Sequence, residues 1–145
     1  MTEASLPLHG LLVVDLTRVL AGPYCTRLLS DLGARVIKIE RPIEGDEMRR
    51  NPHQIEAGRE DQSTYFARVN AGKESVAVDL SRPDGRDVVL GLAGHADVFI
   101  ENFAPGVAGK LGLAYEPVRA AKPDIVYCSI SGFGQTGPWR ERPAF

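Results

Sequence analysis

The sequence predicts an α/β fold: a Rossmann-like, doubly wound and mainly parallel sheet of about five strands with flanking helices. Three observations carry this. Short apolar runs alternate with amphipathic segments along the whole chain, the pattern of βαβ units. Glycine and proline punctuate the ends of those segments. Polar residues gather where the apolar runs stop, which is where open α/β sheets hold their ligands. At 145 residues the chain fits one domain.

Leu11-Leu12-Val13-Val14-Asp15 reads as the first strand, apolar enough to be buried on both faces. Arg18 to Pro23 connects it to a helix over Tyr24–Leu32. Pro23 suits the first turn, where its missing N–H costs nothing. Cys25, Leu28, Leu29 and Leu32 recur at helical spacing, and Gly33 is the expected left-handed terminator. Arg35 to Glu40 is a second strand, completing a βαβ unit with a right-handed crossover. Pro42 to Gln62 is a long charged loop with room for a turn of helix. Asn70-Ala71-Gly72-Lys73 is a turn leading into a third strand over Ser75–Asp79. Ser81 is positioned to cap a following helix with Pro83 in its first turn. Val88, Val89, Leu92 and Ala93 supply its inner face, and Gly94 ends it. Asp97 to Glu101 is the fourth strand, with Asn102 to Gly106 as its exit loop. A turn over Val107–Leu111, a helix over Glu116–Ala121 stopped by Pro123, and a fifth strand over Ile125–Ile130 complete the order.

Composition narrows the function. Hydrophobic residues make up 43% and charged residues 25%, an ordinary globular balance. Seventeen basic against 19 acidic side chains leave a net charge of -2, which argues against a general nucleic-acid binder. The two cysteines, Cys25 and Cys128, read as buried reduced thiols, and no spacing of Cys or His supports a metal site. No apolar run reaches membrane-spanning length. Met1 to Ser5 lacks a basic, signal-like start, so the cytosol is the expected location.

Glu40 ends the second strand where a ribose-binding acid sits in dinucleotide folds. The first turn, Thr17-Arg18-Val19-Leu20-Ala21-Gly22-Pro23, lacks the glycine fingerprint, so no NAD is expected. Four strand exits bring polar groups to one edge: Thr17-Arg18, Glu40-Arg41, Glu101-Asn102 and Ser131-Gly132. Arg41, Lys73 and Lys110 lie near these turns. Such cations suit a phosphate, and arginine also stacks on adenine; solvated surface charge is the alternative. His9 and His95 fall at the opposite edge and His53 in the long loop, so no Ser/His/Asp triad assembles. Glu44, Asp46 and Glu47 read as a solvated acidic face.

Asp15 to Pro23 and Leu32 to Pro42 resemble the opening of the family III CoA-transferases, the superfamily of formyl-CoA transferase, the carnitine CoA-transferase and bile-acid-inducible group, and α-methylacyl-CoA racemase. Asn70 to Lys73, Asp97 to Gly106 and Ser131-Gly132-Phe133-Gly134-Gln135 continue the likeness in order over nearly all of residues 8–145. The resemblance implies a coenzyme A or acyl-CoA substrate, a carboxylic acid acceptor, no metal, and a homodimer of interlocked chains. It implies that Arg18, Val19 and Leu20 touch CoA and that Arg41 lies by the adenine. Lys73, Asn102, Phe103 and Lys110 would contribute to the nucleotide and pantetheine path. Some transferases carry histidine and lysine where this chain has Arg18 and Ser131. The family's catalytic aspartate is expected beyond Phe145, so no acid in this chain is assigned that role. Residues 1–145 are therefore expected to be the N-terminal CoA-binding portion of a longer enzyme, inactive in isolation. Racemases commonly have proline where this chain has Asn102, so Asn102 with Lys73 leans to the transferase branch. A racemase, a free-standing CoA-binding module and a dehydrogenase fragment are the alternatives.

Overall fold

A computed structural model describes residues 6–144. The reading of Met1 to Ser5 lies outside that range, as does Phe145. The elements are β1 (Leu12–Asp15), α1 (Ala21–Asp31), β2 (Arg35–Glu40), a 3-10 turn (Glu47–Arg50), α2 (Thr64–Asn70), β3 (Glu74–Ala77), α3 (Pro83–Ala93), β4 (Val98–Glu101), α4 (Val107–Lys110), α5 (Tyr115–Ala121) and β5 (Val126–Ser129). The five strands form one sheet in the order β3-β2-β1-β4-β5, with every neighbouring pair parallel. The chain winds outward from β1 to β3, then returns to lay β4 and β5 on the other side. The switch point therefore falls between β1 and β4.

Strand alternation divides the core into two layers. Val13 aligns with Val36 and Val98 on one face, and Val14 aligns with Ile37 and Phe99 on the other. Cys25 and Leu29 of α1 pack on the first face. Val89 and Ala93 of α3, with Val118 of α5 and Leu113, cover the second. Phe99 is wholly buried and stacks on Tyr127 with ring centroids 5.4 Å apart. Burying a side chain of that size contributes roughly 1.5–3 kcal/mol. Gly33, at φ +103°, follows the last residues of α1 in the left-handed conformation that its position requires.

Several expectations need correction. α2 was not anticipated; it buries little beyond Val69 and Asn70, so its periodic signal is weak. Ser63 caps it by accepting a hydrogen bond from the Phe66 N–H at 2.9 Å. Ser81 does not cap α3: its N–H and hydroxyl both donate to Asp79 Oδ1, and Arg82 stands at the cap position without a side-chain bond. Leu28, Leu32 and Val88 are about half exposed, because the sheet admits only a narrow stripe of each helix. The thiols of Cys25 and Cys128 are free but only partly buried. Among the described residues, no helix is long and apolar enough to cross a membrane, and no group of three His, Cys, Asp or Glu is placed to hold a metal ion.

Candidate functional site

The carboxyl ends of β1 to β4 open into a cavity of about 550 Å³, within the usual size range for small-molecule sites. Leu16, Ile39, Val78 and Leu80 line it from the strand ends. Phe103, Val107 and Leu111 line it from the segment after β4. Arg18, Arg41, Glu44, Asp79 and Ser81 add the polar rim. The strand pattern explains this chemistry. Leu16, Ile39 and Val78 continue the apolar layer beneath α3. The alternate positions, Asp15, Lys38 and Glu40, turn to the other face and are charged.

Asp15 and Lys38 hold the β1–α1 connection. Asp15 is fully buried and accepts from the Thr17 N–H (2.9 Å), the Thr17 and Thr26 hydroxyls, and the Lys73 ammonium (3.0 Å). Lys73 also donates to the Pro23 carbonyl at 2.9 Å and to Asn70 Oδ1 at 2.8 Å, so its donors are fully engaged. Burial is the largest influence on this ammonium. Despite the opposing pull of Asp15, it brings the pKa down from 10.5 to about 8. Lys38, 1% exposed, donates to the Thr17 carbonyl at 2.7 Å and pairs with Asp46 at 3.0 Å. At the switch point, Asn102 accepts from the Arg18 N–H (2.8 Å) and donates to the Arg18 carbonyl (2.9 Å). The following residue, Val19, sits at φ +69°. That is an unfavourable region for a β-branched side chain, tolerated because the surrounding bonds over-determine the loop.

A second ionic group shapes the turn after β2. Glu40 accepts from Arg49 at 2.6 and 2.7 Å, from the Ser75 hydroxyl at 2.6 Å and from the Asp46 N–H at 2.9 Å. Burial alone would raise its pKa. The bonds from Arg49, Ser75 and Asp46, with the arginine's charge, outweigh burial and hold it at about 2. Arg49 also lies 3.8 Å over the Phe66 ring, tying this turn to α2. The acid in the position of a ribose ligand is thus already occupied by protein donors.

Of the expected site residues, the structure brings Arg18, Arg41 and Phe103 to the cavity wall. Asn102 stands just behind Arg18 and fixes its backbone. Val19 and Leu20 are exposed and lie outside the cavity lining, and Lys110 is exposed at the end of α4. Lys73 is 2% exposed and lies outside the lining. It was expected near the ligand, but here its length carries it inward to Asp15. Asp46 corrects the expectation of a solvated acidic face: it is 1% exposed and paired with Lys38. Sequence reading missed Lys38, although a lone cation between Ile37 and Ile39 in a parallel strand was a usable signal. Val107 and Leu111 were missed as lining because nothing local marks which loop folds over the strand ends.

The profile described as CoA-transferase family III matches residues 8–145. The chain is 48% identical over 140 residues to succinyl-CoA:glutarate CoA-transferase of Mus musculus, covering 96% of this chain and 31% of that protein. It is 48% identical over 139 residues to acetyl-CoA:oxalate CoA-transferase of Acetobacter aceti, covering 96% and 35%. The chain therefore spans about a third of the length of these curated relatives. Among solved structures, a CaiB/BaiF family protein from Brucella suis superposes with a TM-score of 0.91 at 47% identity, over 98% of this chain and 38% of that one. Rv3272 from Mycobacterium tuberculosis does so with a TM-score of 0.86 at 40% identity, over 98% and 39%.

Proposed function

The chain belongs to the family III CoA-transferases, and on that premise we propose that its cavity receives the nucleotide end of a CoA thioester. The observation that carries this reading is the cavity itself: an apolar floor at the strand ends with Arg18, Arg41 and Phe103 on its wall. Arg41 is 63% exposed and only loosely paired, with Glu44 at 3.7 Å. Its guanidinium is available to a phosphate or to a purine face. Val19, Leu20, Asn102 and Lys110 lie around the same edge and extend the path toward pantetheine. Lys73 supports it from within.

In this reading the protein that carries the chain moves CoA from an acyl-CoA to a carboxylic acid. A catalytic aspartate attacks the thioester carbonyl and expels CoA thiolate, leaving a mixed anhydride. The thiolate then attacks the aspartyl carbonyl, releasing the donor acid and forming an aspartyl-CoA thioester. The acceptor carboxylate reverses these steps and leaves as its CoA ester. Residues 1–145 supply the CoA-binding portion. Asp15, Glu40, Asp46 and Glu101 are all buried, and each is engaged by protein donors or an internal cation. That supports placing the nucleophile elsewhere. The relatives are named for glutarate or oxalate as acceptor, which supports a short carboxylic acid here and disfavours the racemase alternative. The same family reading carries a cytosolic homodimer.

Calorimetric titration of CoA into the protein and its Arg41→Ala variant tests the site. Loss of a charge-assisted contact worth about 1.5–3 kcal/mol weakens binding roughly 10- to 100-fold. Equal affinity for both proteins overturns the assignment.

A further inference from the structure

Ile43 combines two unfavourable features. Its side chain is fully exposed, and its backbone sits at φ +67°. A β-branched residue in that region is a genuine outlier. The Glu44 N–H donates to the Pro42 carbonyl at 2.7 Å, closing a three-residue turn centred on Ile43. With positive φ, this is the rare and strained hand of that turn. The surroundings enforce it. The Gly45 N–H donates to the Arg41 carbonyl at 3.0 Å, and the Asp46 N–H donates to Glu40 at 2.9 Å. The turn is thus clamped to the buried Glu40–Arg49 pair at its base. Its tip lines both the main cavity and a smaller hollow of about 260 Å³ beside it.

Strain of this kind persists only where neighbouring structure imposes it, and it collects at ligand clamps. An isoleucine held out on such a turn gains nothing from the protein itself. That apolar area is removed from water only when something apolar covers it. Arg41, two residues away, supplies the charge for a phosphate on the same edge. A purine ring linked to phosphates meets both requirements.

We propose that Ile43 is a ligand-contacting specificity residue whose side chain closes on the adenine face of a bound CoA, held ready by the strained turn. This rests on the CoA reading above. It makes a prediction of opposite signs that a purely structural residue does not make. Ile43→Gly relieves the backbone, so the thermal midpoint rises, by about 2–4 °C. The same change removes the contact, so affinity for CoA and for adenosine 3′,5′-bisphosphate falls about tenfold. Affinity for 4′-phosphopantetheine, which has no adenine, stays the same. Ile43→Ala loses the contact but keeps the backbone penalty, so it shows the affinity loss without the rise in midpoint.

Calorimetry with the three probes and thermal denaturation of the three proteins make the test. Unchanged affinity of Ile43→Gly for both adenine-bearing probes overturns the inference, as does an equal loss for 4′-phosphopantetheine or a lowered midpoint. If the unaltered protein binds neither adenine-bearing probe, the CoA reading fails and takes this inference with it. Binding by the unaltered protein with no effect at Ile43 sinks the inference alone.

Discussion

Glu40→Gln removes the charge on which the turn after β2 is built. The native carboxylate titrates at about 2 against an ordinary 4.5, because the bonds from Arg49, Ser75 and the Asp46 N–H outweigh its burial. The folded state therefore releases this proton more readily than the unfolded chain. The stabilisation is fully present above pH 4.5 and is lost as pH falls from there toward 2. At about 1.4 kcal/mol for each pH unit between the two values, the linkage contributes about 3 kcal/mol at neutral pH. The side chain is only 4% exposed, so little of this is screened by solvent. Glutamine keeps the shape but not the charge, and it leaves Arg49 facing a neutral amide. Urea denaturation of both proteins from pH 7 to pH 2.5 measures the effect. The unaltered protein should be more stable by about 3 kcal/mol or somewhat more at pH 7, and most of that gap should close by pH 2.5. Other carboxylates titrate in both proteins and cancel in the difference. Parallel stability curves over this range would refute the reasoning.

Lys73→Met tests a buried cation. Its folded pKa of about 8 lies below the ordinary 10.5, chiefly through burial, so the unfolded chain holds the proton longer and stability climbs as pH rises from 8 toward 10.5. Relative to the methionine variant, the unaltered protein should gain about 2–3 kcal/mol over that interval in chemical denaturation; a constant difference contradicts this. The variant should also be the less stable at pH 7.5, because Asp15 then keeps a buried charge without its cation. Residues 1–145 purified alone should bind CoA yet show no transfer between several acyl-CoA donors and carboxylate acceptors, since positioning without a nucleophile gives no covalent chemistry. Robust turnover by that segment makes Asp15, Glu40, Asp46 and Glu101 the first candidates for a catalytic acid.

Strand and helix identity lay close to the surface of the sequence. The runs Leu12–Asp15 and Val98–Glu101 are mostly apolar over the length of a strand, Arg35–Glu40 sets Val36, Ile37 and Ile39 among charges, and the first run leads directly into a segment of helical period. These signals are local, so β1 to β5 and the helices α1, α3 and α5 could be read without knowing what they touch, while α4 was legible only as a turn and α2 not at all. The motifs at Thr17-Arg18, Glu40-Arg41, Glu101-Asn102 and Ser131-Gly132 also marked one sheet edge, because a parallel sheet sends all its carboxyl ends the same way.

Partnership was a different matter. That Lys73 turns inward to Asp15 across 58 residues, and that Asp46 is a buried counter-ion to Lys38, depends on which loops fold against which strand ends. A charged residue carries the same letter whether it meets water or an opposite charge. Tertiary packing alone decides which, because burial penalises an unpaired charge heavily and so forces the pairing. The same holds for Ile43. Its letters say apolar and β-branched, favouring a strand, while the turn clamped by Glu40 holds it at positive φ in full exposure. Local preference is worth about a kilocalorie per mole, and a buried ionic anchor at the base of a turn is worth more.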